Sequence, residues 1–84
     1  MKYSVLLLSE PRKQMARIPK QDRERLNEVI RGLADNPRPP GCLKLEASEG
    51  WRVRTGDYRV VYLINDDKKT VTVVRVRHRR DVYR

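Results

Sequence analysis

Eight of the fourteen arginines fall between Arg52 and Arg84, and several recur at every second position, as in WRVRT (Arg52, Arg54) and RVRHRRDVYR (Arg75, Arg77). A surface strand needs some charge for solubility, but five arginines in the last ten residues exceed that need. The guanidinium group is planar, permanently charged and able to grip a phosphate through two parallel N–H donors, so the bias favours a phosphate-bearing partner. His78 stands among these arginines, and histidine is the side chain type that titrates near neutrality. Arg59 sits inside an otherwise apolar run, YRVVYLIN, where an unpaired charge is costly and a site explains it better than packing does. Such a set can bind phosphate, neutralise charge that develops on it and move a proton.

The net charge of +9 supports that reading without choosing it, because an acidic protein or an anionic membrane surface would also answer it. At 84 residues the chain is expected to be one domain, 1–84, with a limited core. Apolar runs such as Val5-Leu6-Leu7-Leu8 are too short to span a bilayer. Glu10, Pro11, Arg12 and Lys13 follow this first run at once, unlike a signal peptide, so no membrane association is expected. Cys42 is the only cysteine and His78 the only histidine. A disulfide within the chain is therefore excluded, a metal or redox site is not expected, and a reducing cytoplasm is the natural location. No cofactor is implied.

The elements that must position the arginines follow from periodicity. Lys2 to Leu8 reads as a strand that is apolar on both faces, hence central or covered on both sides. Ser9 is placed to cap a short helix with Glu10 and Pro11 in its first turn; Met15 and Ile18 form its apolar stripe and Pro19 ends it. Leu26, Val29, Ile30, Leu33 and Ala34 follow helical spacing and predict a second helix, stopped at Asn36-Pro37. Three strands come next: Trp51 to Thr55, Tyr58 to Asn65 after a tight Gly56-Asp57 turn, and Thr70 to Arg77 after Asp66-Asp67-Lys68-Lys69. The order β-α-α-β-β-β predicts an α+β domain, an antiparallel-rich twisted sheet with two helices on one face. Strict alternation would put Val71, Val73, Arg75 and Arg77 on one face and Val74 and Val76 on the other. If the helices cover Val60, Tyr62, Ile64 and Val74, the open face is apolar at one end and basic at the other.

WRVRTGDYRVVYLIN followed by VTVVRVRHRRDVYR resembles the RelE/ParE superfamily of bacterial and archaeal toxins. The resemblance covers nearly the whole chain: the opening strand, the paired helices, the GDYRVVY strand and the terminal H-R-x-D-x-Y arrangement. It implies a small RelE-like fold and a toxin held inactive by a cognate antitoxin, with oligomers formed mainly through that complex. The ending RRDVYR is more similar to the RelE branch, which cleaves mRNA in the ribosomal A site, than to the ParE branch, which inhibits DNA gyrase. A non-catalytic RNA- or protein-binding relative is a further alternative.

The resemblance also implies roles. Arg59 matches a phosphate-binding arginine, Arg79 a late arginine that stabilises charge or assists the leaving group, and Tyr83 a tyrosine that stacks on a base. Arg52 and Arg54 fall where the family often carries two functional basic residues. Arg77, with Arg75 and Arg80, reads as charge facing RNA, ribosome or antitoxin. Metal-independent cleavage of this kind joins the ribose 2′-oxygen to the adjacent phosphate and leaves a 2′,3′-cyclic phosphate. It needs a base for the hydroxyl, cations for the charge and an acid for the 5′-oxygen. Where some members carry lysine as the proposed base, this chain has Arg52 and Arg54, and arginine stays protonated. His78 is the substitute by type, if the chain turns after Arg77 so that it faces the site; Asp57, Asp81 and Glu49 are further candidates.

Overall fold

The computed structural model describes residues 2–46 and 48–82. β1 (Ser4–Leu7) leads into α1 (Ser9–Arg17) and α2 (Lys20–Gly32). β2 (Leu43–Lys44), β3 (Trp51–Thr55), β4 (Tyr58–Asn65), β5 (Thr70–His78) and a last helical turn, α3 (Arg79–Val82), complete the chain. The strands form one sheet in the order β1-β5-β4-β3-β2. β1 runs parallel to β5, and the other neighbours are antiparallel. The α+β class and the β-α-α-β-β-β series hold. The structure adds a two-residue edge strand, β2, drawn from the connection after the prolines.

The helices cover one face. Leu26, Ile30 and Leu33 carry the buried stripe of α2 and its end, and Met15 and Pro11 that of α1. They meet Val53, Val60, Tyr62, Val71, Val73 and Val76 from the sheet. Burial of each aliphatic side chain contributes about 1.5–3 kcal/mol, and truncating the fully buried Leu26 to alanine would cost about 2–5 kcal/mol. The buried Tyr62 hydroxyl donates to the carbonyl of Pro37 at 2.8 Å, tying the proline-rich connection to β4. That burial also pushes the phenol's pKa well up, with Cys42 adding to the shift. Ser9 does not cap α1; it is the first helical residue, Leu8 takes the cap position, and no side chain caps that end.

Two expectations about faces fail for stated reasons. β1 is an edge strand rather than a covered one: Val5 and Leu7 pair with Val71 and Val73 over the helices, while Leu6 and Leu8 are exposed at 55% and 47%. An unbroken apolar run carries no information about which neighbour is missing. The second concerns β5. Val61 pairs with Arg75 but Tyr62 pairs with Val73, so Val74 is an extra residue at a bulge. A bulge shifts the alternation by one. Val71 and Val73 before it and Val76 after it therefore all reach the core, whereas Arg75 and Arg77 leave it. Val74 itself is half-buried rather than part of the helix-covered row.

Candidate nucleic-acid interface

The bulge builds the candidate site. On the face without helices, Arg54 of β3 pairs with Arg59 of β4, and Arg59 with Arg77 of β5. One step along the strands, Arg52 pairs with Val61 and Val61 with Arg75. Five arginines thus form two rows across three adjacent strands, about 10 Å wide at a strand spacing of about 4.8 Å. Gly56, at φ +58°, makes the turn that brings Arg54 and Arg59 into register, a left-handed position where a side chain would be strained.

Like charges directly opposite one another destabilise a strand pair. Among the described residues the ion pairs are Lys2–Asp35, Arg38–Asp66 and Arg79–Asp57, none of which involves these five arginines. Burial lowers the pKa of Arg52, and the charges of Arg54 and Arg59 lower it further. The Nε of Arg77 is shielded from solvent and has no hydrogen-bond partner. An unsatisfied buried donor costs about 1–3 kcal/mol. Such an arrangement is what a preorganised anion site requires: donors held in place before the anion arrives.

Toward β1 the same face becomes apolar, through the paired Leu6, Thr72 and Leu63. Leu63 is 42% exposed, and Leu43, beside Arg52 on β2, is 53% exposed. The expected gradient from apolar to basic is present. Arg79 lies at the basic end: its backbone N–H donates to the carbonyl of Asp57 at 2.7 Å, and its Nε sits 3.6 Å from the Asp57 carboxylate.

Comparison with known proteins decides the family. The profile described as "ParE toxin of type II toxin-antitoxin system, parDE" matches residues 5–83. The chain belongs to the RelE/ParE superfamily of type II toxins. It is similar to toxin RelG of Mycobacterium tuberculosis, with 33% identity over all of this chain and 99% of that one. Among solved structures, it superimposes with a TM-score of 0.84 on a chain of the archaeal RelE–RelB complex from Pyrococcus horikoshii. That match has 29% identity and covers 94% of this toxin and 97% of the archaeal chain. The M. tuberculosis RelBE2 toxin–antitoxin complex gives a TM-score of 0.80 at 26% identity, covering 93% and 99% of the two chains.

The toxin brings together Arg52, Arg54, Arg59 and Arg77, with Arg79 at their margin. It does not bring His78 to them. β5 continues through His78, which pairs with Tyr58 on the helix-covered face, and the chain turns only at Arg79. The His78 and Tyr58 rings meet edge to face, 5.1 Å apart at 86°. They line an open groove of about 310 Å³ with Gln14, Arg17, Ile18 and Val76. The Nδ1 of His78 accepts the backbone N–H of Arg80 at 3.2 Å. Of the other candidate bases, Asp57 is held by Arg79 and Glu49 is exposed in the connection before β3. Tyr83 lies outside the described residues. Among the described residues, no group of three or more His, Cys, Asp or Glu sits together to hold a metal ion, and no helix is long and apolar enough to cross a membrane.

The sequence pattern places Arg75 and Arg77 on the open face, as the structure does, but groups Val71 and Val73 with them, whereas both valines are buried under the helices. The bulge at Val74 that separates the valines from the arginines is not visible in the spacing.

Proposed function

We propose that the toxin is a ribosome-dependent endoribonuclease of the RelE branch that cuts mRNA in the A site and stops translation in the cytoplasm. The observation that carries the reading is the pair of arginine rows on the open face, five cations with no carboxylate partner among the described residues. An RNA phosphate supplies the missing charge. Arg54, Arg59 and Arg77 would hold the scissile phosphate, and Arg52 and Arg75 its neighbour.

In the reaction, the 2′-oxygen attacks phosphorus and the bond to the 5′-oxygen breaks. The hydroxyl proton leaves, and the departing oxygen gains one. Charge builds on the phosphoryl oxygens in between, and one well-placed donor there contributes about 3–4 kcal/mol. No histidine faces the rows, so acceleration rests on this charge stabilisation and on alignment for in-line attack. Arg79 assists the leaving oxygen from the hairpin side, and Tyr83 supplies a stacking surface. No metal or cofactor enters the reaction.

A cognate antitoxin is the expected partner, since RelE relatives of similar fold are found in complexes with RelB. An acidic or amphipathic antitoxin would lie over the helices and the open face, where Leu6, Leu8, Leu43 and Leu63 border the arginines. Oligomers would then form through that complex.

Primer extension on ribosome-bound mRNA tests the reading. Cuts confined to the A-site codon, absent without ribosomes and lost with Arg59→Ala, are expected. Intact mRNA in the presence of a toxin preparation that arrests growth would overturn it. Inhibition of DNA gyrase is the second reading, favoured by the ParE description of the matched profile. The arginines would then be contact residues, and induction would raise a DNA-damage response before translation falls.

A further inference from the structure

We propose that His78 is a positioning residue: its ring caps α3 through Nδ1 and so holds Arg79 at the margin of the arginine rows. The proposal rests on the role given to Arg79 above. A helix of one turn has no stability of its own, and its first N–H groups need outside partners. In α3 the N–H of Arg79 goes to the Asp57 carbonyl at 2.7 Å, and that of Arg80 to the His78 Nδ1 at 3.2 Å. His78 directly precedes the helix, so its ring nitrogen takes the place that a serine or asparagine oxygen usually fills at a helix start.

The ring is fixed from the other side. Tyr58 meets it edge to face from the neighbouring strand, and Ile18, Arg17 and Gln14 of the α1 end line an open groove beside it. Gln14 is itself anchored, accepting the Val76 N–H at 3.2 Å beyond the point where β1 stops pairing with β5. An Nδ1 that accepts leaves the proton of the neutral ring on Nε2. The histidine is thus committed to shaping the chain where it leaves β5. Arg79 is directed to the Gly56-Asp57 hairpin, whose two strands carry Arg54 and Arg59.

Three single variants of the toxin and one double variant test this: His78→Asn, which keeps a capping acceptor without the imidazole, His78→Phe, which keeps an aromatic ring without an acceptor, Arg79→Ala, and His78→Phe combined with Arg79→Ala. Single-turnover cleavage on programmed ribosomes and amide exchange at Arg80 are the readouts. His78→Asn should cleave nearly as fast as the wild type and keep Arg80 protected. His78→Phe should lose about tenfold in rate, the change that loss of a helix cap carries, and lose that protection. In the Arg79→Ala background, His78→Phe should add almost nothing. Equal loss in both His78 variants would overturn the proposal and make the ring's own proton transfer the cause. Undiminished protection of Arg80 in His78→Phe would overturn it as well. A wild type that leaves ribosome-bound mRNA intact would instead overturn the nuclease reading, and exchange at Arg80 would still decide the cap.

Discussion

Arg38, in the connection after α2, and Arg59, on β4, are the same residue type, and their surroundings are opposites. Arg38 is satisfied. Its Nη1 and Nη2 donate to the two carboxylate oxygens of Asp66 at 3.3 and 2.9 Å, and its guanidinium lies 5.0 Å from the centre of the Trp51 ring. Tyr3 donates to the same carboxylate at 2.6 Å, so one cluster ties the start of the chain, the proline-rich connection and the β4–β5 turn together. Arg59 stands between Arg54 and Arg77 with no ion-pair partner among the described residues. The contrast teaches where this toxin spends its charge on its own fold and where it holds charge ready for something else. A paired arginine is structural, and a row of unpaired ones is where a site is proposed.

The largest effect should come from breaking that row. Arg59→Ala is expected to slow cleavage by about a hundredfold or more, the loss typical of one preorganised electrostatic donor, with no loss of thermal stability. Arg77→Ala, at the row's end, should cost less, about tenfold, and the unsatisfied Nε it removes should leave the fold slightly more stable. Single-turnover rates and thermal midpoints measured on the same preparations check both.

The paired arginine should behave in the opposite way. Arg38→Ala is expected to lower the thermal midpoint by a few degrees and leave cleavage unchanged, as for a mostly exposed ion pair reinforced by an aromatic contact. Acid sharpens the same point. Arg38 first, and then Tyr3, hold the Asp66 carboxyl at a pKa of about 2 against an ordinary 3.8. The pair therefore contributes fully above about pH 4, and its contribution is lost as the pH falls from there through about 2. Urea midpoints should drop across that window in the wild type and drop less in Asp66→Asn.

The smallest effect concerns salt. Raising ionic strength shortens the screening length from about 8 Å at 0.15 M to about 3 Å at 1 M, and so relieves repulsion across the arginine rows. The wild-type thermal midpoint should rise with sodium chloride, and rise less in Arg54→Gln. An equal response in the two proteins would mean that the rows carry no strain.

Much of this contrast was legible in the chain, and the remainder was hidden for physical reasons. Arg52, Arg54 and Arg59 lie on one face because strict alternation holds through β3 and β4, and there the sequence pattern is sufficient. It fails at β5, because a bulge depends on how two strands meet and one strand's residues do not encode it. Arg75 and Arg77 thereby lie on the open face while Val71 and Val73 stay in the core. His78 could be named as a titrating residue, but its face depended on where the strand ended, one residue later than Arg77. The Arg38–Asp66 pair spans 28 residues and is set by the fold, so neither residue stood out. Trp51 is half-buried against the core and serves as the platform for Arg38 and Lys44.

The most direct test sets the two arginines side by side. Arg59→Ala and Arg38→Ala toxins would be assayed for single-turnover cleavage of A-site mRNA on programmed ribosomes, with thermal midpoints recorded for each. The expected result is a double dissociation: Arg59→Ala inactive and as stable as the wild type, Arg38→Ala active and less stable. An active Arg59→Ala toxin, or one whose lost activity follows a lost fold, would contradict the claim that the unpaired rows are the site.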